Sequence, residues 1–186
     1  MSGNVKPYKT GLLVGRFQML HKGHGEMIGS AVSLCERVAV FVGSSQESGT
    51  EKNPFSYELR REMLETVFPE EISVFPLPDI GVGNNSRWGD YVLECAVSLL
   101  GELPDLVVSG KESRRSSWLD SERGEGIAEL FVPKSIDISA SRMREMLLSG
   151  DLEEWKKYTD ERLWSKYGAL RDLVISSENN NYTQSI

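Results

Sequence analysis

The 186-residue chain is poor in cysteine and histidine, with two of each, and it has fewer basic than acidic residues. Cys35 and Cys95 form no CxxC pair and sit at no Cys/His ligand spacing. This argues against a disulfide framework and a structural metal centre and leaves reduced thiols, both read on helical apolar positions, as the expectation. No apolar stretch approaches the roughly 20 residues that span a bilayer, and Met1 to Thr10 is too polar for a secretory signal, so a cytoplasmic protein is expected. Lys and Arg number 21 against 28 Asp and Glu, a formal net charge of −7. Nucleic acids release counterions only to a basic face, so general nucleic-acid binding is disfavoured. A small anionic ligand stays open, because one local basic pocket can override the average.

What is present suits one compact domain with 39% hydrophobic residues. Leu12-Leu13-Val14 reads as a buried strand that ends in Gly15. From Gly25 to Cys35, apolar residues recur every three or four positions and predict a helix with one buried face. Val38 to Val42 is a second strand, and Leu59 to Val67 marks the next helix. Further strands are expected at Ile72 to Leu77, Leu106 to Ser109 and Ala128 to Val132, with a helix from about Trp88 to Leu100. This alternation predicts an α/β fold: a Rossmann-like, doubly wound parallel sheet with helices on both faces. Ser139 to Ser149, Leu152 to Tyr158 and Asp160 to Val174 add a C-terminal helical appendage. The expected layout is a core over 10–150, a helical part over 151–175 and a disordered polar tail over 176–186.

Between the first strand and its helix, Gly15-Arg16-Phe17-Gln18-Met19-Leu20-His21-Lys22-Gly23-His24 packs both histidines among cations and glycines. Helix-terminal amides attract anions, Gly23 permits close backbone approach, and the imidazoles can donate to phosphate oxygens. The alternative is a pair of ordinary surface histidines. Ile138-Ser139-Ala140-Ser141-Arg142-Met143-Arg144 places hydroxyls at a helix start and arginines in its first turn, where they oppose the dipole unless an anion compensates them. Gly110-Lys111 is not a P-loop, because Asp105 stands where that pattern needs glycine. Gly81-Val82-Gly83 lacks the third glycine of a dinucleotide fingerprint.

On these residues the chain resembles the nicotinamide mononucleotide (NMN) adenylyltransferase family, in its archaeal-type branch of the HxGH nucleotidyltransferases. The stretch from Gly43-Ser44-Ser45-Gln46 to Lys52-Asn53-Pro54-Phe55 and the strand end Pro76-Leu77-Pro78-Asp79-Ile80 are the more specific matches. The resemblance implies transfer of AMP from ATP to the 5′-phosphate of NMN, with one Mg²⁺ carried on the triphosphate and no protein residue assigned as a metal ligand. It implies that His21 and His24 contact the ATP phosphates, His24 at the α-phosphate, that Arg16 and Lys52 serve the phosphates of the two substrates, and that Ser139, Ser141 and Arg144 hold the β- and γ-phosphates. Gly15, Phe17, Gln18, Gly23 and Lys111 complete the implied ATP site, and Asp79, Asn85 and Trp88 the acceptor site. There Trp88 stacks on the cationic ring, or else merely packs as a helix-start aromatic. The chain departs from the family at Met19, where a proline is usual, at the longer Asp79 to Trp88 connection, and at Ser109 to Ser113. Rival readings are another phosphate acceptor (pantetheine phosphate, FMN or a cytidylyl acceptor) and a non-catalytic nucleotide-binding regulator. A homo-oligomer is left open.

Overall fold

The computed structural model describes residues 5–83, 85–110 and 119–184, with side chains to 180. Five strands form one sheet: β1 (Tyr8–Gly15), β2 (Cys35–Gly43), β3 (Ser73–Leu77), β4 (Leu106–Ser109) and β5 (Ala128–Phe131). All neighbours pair parallel, in the order β3-β2-β1-β4-β5. The helices among the described residues are α1 (Lys22–Leu34), α2 (Tyr57–Val67), α3 (Ser86–Leu100), α4 (Ala140–Ser149), α5 (Leu152–Tyr158) and α6 (Tyr167–Gln184).

The strands are apolar on both sides because both sides are covered. Leu13, Val38, Val40, Val42, Leu106 and Val108 point into a core with α1, α2 and the C-terminal helices. Their sequence neighbours Leu12, Ala39, Phe41 and Val107 point the other way, onto Val92, Leu93 and Ala96 of α3. This two-residue alternation is the pleat, and it gives the expected doubly wound sheet. From β1 the chain winds through β2 to β3, then crosses back to place β4 on the other side of β1. That reversal opens a crevice beyond the carboxyl ends of β1 and β4.

Four expectations are corrected. First, β1 begins at Tyr8, because Tyr8 and Thr10 find register with Cys35 and Arg37 of β2; their polarity hid this from the apolar pattern. Second, Cys35 is not helical. Its amide caps α1 on Ala31 O while its extended backbone (φ −117, ψ 142) opens β2 with no intervening loop. Third, the tail is not disordered over 176–184. The last helix continues to Gln184, Leu170, Val174 and Ser177 form one buried stripe, and Ser177 Oγ donates to Val174 O at 2.8 Å. The apolar front of the helix anchors it, and elongation through polar residues is cheap once a nucleus is held. Asp160 to Val174 is also not one helix, since Glu161–Lys166 is a 3₁₀ turn that precedes α6.

Candidate functional site

The crevice is a cavity of about 640 Å³. Its floor comes from the β1 end. Phe17 lies at φ 52, a left-handed conformation that costs a non-glycine residue about 1–2 kcal/mol. The turn tucks the Phe17 ring under Gly15, where a Cβ would meet it at 3.1 Å, and sets it 4.9 Å from the His24 ring. Gln18 is 2% exposed. Its amide Nε2 donates to Phe55 O at 2.9 Å and its Oε1 accepts from Phe55 N at 3.0 Å. The Gln18 side chain thus pins the loop to the 53–55 segment, a structural use that the sequence reading as a nucleotide contact missed.

Helix α1 starts earlier than expected, with His21 as its N-cap. His21 Nδ1 accepts from His24 N at 3.4 Å, which assigns the ring proton of the neutral form to Nε2. The two imidazoles stack at 3.8 Å. A side chain at Gly23 would crowd the first ring, its Cβ lying 3.2 Å from His21 Nδ1. Burial first, and the Lys134 charge second, pull the His21 pKa down to about 4. Burial, the neighbouring His21 and Lys134, in that order, hold His24 well below the usual imidazole range. His24 Nδ1 is sealed from solvent with no hydrogen-bond partner among the described residues. Both rings are therefore neutral at pH 7.

The opposite wall is the start of α4. Ser139 is its N-cap, the hydroxyl accepting from Arg142 N at 3.2 Å. Arg144 reaches across the gap: Nη1 donates to Gln18 O at 2.5 Å and Nη2 to Ser141 Oγ at 3.3 Å. Burial first, and the Arg16 charge second, lower the Arg144 pKa. Arg16, His21, Gly23 and His24 from the first loop and Ser139, Ser141 and Arg144 from α4 thus line one cavity. Lys134 and Glu26 line it as well; neither falls in a motif that would mark it in the sequence.

Arg60 of α2 was also missed. Fully buried, it donates to Ser56 O at 3.2 Å, Arg16 O at 3.0 Å, Gly43 O at 2.8 Å, Ser44 O at 3.0 Å and Glu47 O at 3.5 Å. Burial pulls its pKa down to about 10, still charged at neutral pH. The carbonyl ends of β1 and β2 and the 44–47 loop are gathered on this one guanidinium. Arg60 falls in no motif, and the apolar pattern of Leu59, Met63, Leu64 and Val67 that marks the helix does not single it out.

Beyond the β2 and β3 ends, Ser44 Oγ donates to Asp79 Oδ2 at 2.5 Å, and Asp79 N donates to Gln46 Oε1 at 3.0 Å. Asp79 and Trp88 both line the cavity, with the Trp88 ring tilted 5.5 Å from Tyr91. Two expected acceptor residues do not join them. Asn85 caps α3: its Oδ1 accepts from Trp88 N at 3.1 Å and its Nδ2 donates to Val82 O at 2.7 Å, so its amide is engaged by backbone. Lys52 is exposed on the 44–56 loop and does not line the cavity, because Asn53, Pro54 and Phe55 take the inward positions. Lys111 lies outside the described residues.

Among the described residues no three His, Cys, Asp or Glu side chains cluster to hold a metal ion. The two carboxylates at the cavity each accept from a serine, Asp79 from Ser44 and Glu26 from Ser135. This donor set fits a divalent ion that arrives on phosphate oxygens. No helix among the described residues is long and apolar enough to cross a membrane.

Residues 12–146 match the cytidylyltransferase-like family. The nicotinamide-nucleotide adenylyltransferase of Thermococcus onnurineus is 34% identical over 155 residues, covering 80% of this chain and 76% of its own. That of Thermococcus kodakarensis is 35% identical over 156 residues, covering 80% and 77%. Among solved structures, the bifunctional NMN adenylyltransferase/ADP ribose pyrophosphatase of Francisella tularensis, complexed with AMP and a manganese ion, superposes with a TM-score of 0.71 at 22% identity. It covers 96% of this chain, which spans about half (54%) of that longer one, and the likeness shows the fold alone. With the family match over most of the chain and these curated relatives together, the protein belongs to the nicotinamide-nucleotide adenylyltransferase family of cytidylyltransferase-like proteins.

Proposed function

We propose that the protein transfers the adenylyl group of ATP to NMN, giving NAD and pyrophosphate. The observation that carries this reading is the convergence of Arg16, His21 and His24 from the β1 loop with Ser139, Ser141 and Arg144 from α4 on one cavity. A 5′-phosphate oxygen of the mononucleotide attacks the α-phosphorus of ATP as the bond to the β-phosphate's bridging oxygen breaks, and pyrophosphate leaves with that electron pair. The nucleophile is already anionic at neutral pH, so the protein needs no covalent intermediate. It aligns the two substrates and neutralises charge as it spreads over the phosphoryl oxygens.

In this reading the α4 amides, with Ser139, Ser141 and Arg144, hold the β- and γ-phosphates, and His24 lies nearest the reacting phosphorus with His21 beside it. Arg16 bridges toward the acceptor phosphate. Trp88 offers its indole face to the pyridinium ring. A divalent ion such as Mg²⁺, arriving on the triphosphate, would supply further charge neutralisation beside Ser139, Ser141 and Arg144. The enzyme works in the cytoplasm on these two small molecules. Purified protein incubated with ATP, Mg²⁺ and a panel of phosphate acceptors is expected to release pyrophosphate with NMN and form NAD. His24→Ala is expected to lower kcat about 100-fold or more with the fold retained. Release with pantetheine phosphate or FMN instead would overturn the acceptor, and full activity of folded His24→Ala would remove the histidine from the chemistry.

A further inference from the structure

We propose that Lys134 is a polyphosphate-binding residue of this site, its ammonium directed at the β- and γ-phosphates from the segment that joins β5 to α4. The proposal rests on the adenylyl-transfer reading above. Lys134 shares the cavity wall with Val132 and Pro133 and is exposed. Its Nζ donates to Ile138 O at 3.1 Å, one residue before the Ser139 cap, so the ammonium stands beside the open amides of α4. Ile138 also borders the histidine turn: a Cβ on Gly23 would lie 3.2 Å from His21 Nδ1 and 3.6 Å from Ile138 Cγ2. A second tie, from the Ser135 hydroxyl to the Glu26 carboxylate, fastens the segment to α1.

Both imidazoles register this ammonium. Its charge is the second cause, after burial, that holds His21 down, and the third for His24. The other charged groups lining the cavity among the described residues are Arg16, Glu26, Asp79 and Arg144. With the histidines neutral, permanent positive charge for a triphosphate comes from Arg16, Arg144 and Lys134. Two donors of Arg144 already serve Gln18 O and Ser141. Lys134 Nζ carries three protons, of which Ile138 O takes one. Two of its three protons thus remain for phosphate oxygens beside the α4 cap.

The test is calorimetric titration of ATP and of AMP, each with Mg²⁺, into wild type, Lys134→Met and Lys134→Arg, together with an NMR titration of the two histidines. The position is exposed, so both variants should fold as wild type does. Lys134→Met is expected to weaken ATP about tenfold or more, to leave AMP within about twofold because AMP lacks the outer phosphates, and to raise both imidazole midpoints. Lys134→Arg should keep most of the ATP affinity. Unchanged ATP affinity in Lys134→Met, an equal loss for ATP and AMP, or unmoved histidine midpoints would each overturn the role of Lys134 while leaving the adenylyl-transfer reading in place. Folded wild-type protein that binds neither nucleotide would overturn both.

Discussion

His21 holds the amide of His24 with Nδ1, and this cap works only while the ring is neutral. An imidazolium would turn the acceptor into a donor facing an N–H. The folded pKa of about 4 lies below the unfolded value of roughly 6.5, so the unfolded chain binds more protons between them. Stability is then fully present above pH 6.5 and declines as pH falls toward 4, by up to about 3 kcal/mol for His21. Urea unfolding of the ligand-free protein at pH 7, 5.5 and 4.5 should show this decline, and His21→Asn, which keeps a capping acceptor, should make it shallower, with His24, also held low, supplying the remainder. Equal decline in that variant would place the acid sensitivity elsewhere. For Trp88→Ala the expected result is an acceptor KM raised about tenfold, from loss of a partly desolvated cation–π contact, with the ATP KM little changed. An unaltered acceptor KM would return Trp88 to packing against Tyr91. The histidine loop was legible because it holds both histidines of the chain, and the Ser/Arg cluster because its arginines sit in the first turn of a helix, against the dipole. Lys134, Arg60 and the capping use of Asn85 were not, since each depends on which backbone carbonyl or amide lies within reach after folding.

Among the elements, the strands and the centres of the helices were legible, because β2 and β4 are apolar on both faces and α1 to α4 keep one buried stripe. Their ends were not. The start of β1 rests on pairing with β2, and the start of α1 on a histidine cap that no usual N-cap preference anticipates. Gly11 marks how closely these two strands approach. A Cβ there would fall 2.6 Å from Cys35 Sγ and 3.3 Å from Cys35 Cβ. Gly11→Ala is accordingly expected to destabilise the protein by about 1–3 kcal/mol, read from the denaturant midpoint. Adding Cys35→Ala should recover most of the loss by removing the sulfur; a double variant no better than the single one would show that the strain lies in the β1 backbone.

For the molecule as a whole, the C-terminal helices belong to the same core as the sheet. Leu170 and Val174 are 0% and 1% exposed, and burying two such side chains contributes about 3–6 kcal/mol, a large part of the 5–15 kcal/mol that typically holds a domain. Deletion from Tyr167 onward is expected to leave a chain that unfolds at much lower denaturant and binds ATP poorly, since α4 loses its support. A chain ending at Asn180 should match wild type, because the buried stripe of α6 ends at Ser177 among the described residues. Retained ATP affinity after the longer deletion would mean that α4 is held by the sheet alone. Composition concealed this helix: serine and asparagine after Ile175 resemble a loose tail until the stripe before them is seen to be anchored.

Five carbonyls converging on Arg60 also limit how the site can change shape. A charge sealed inside the protein tolerates no partial undocking, since each carbonyl that swings away leaves an ion less compensated. The β1 and β2 ends and the 44–47 loop therefore act as one stiff plate beside the cavity, and any clamping falls to lining segments outside that plate, such as 133–138.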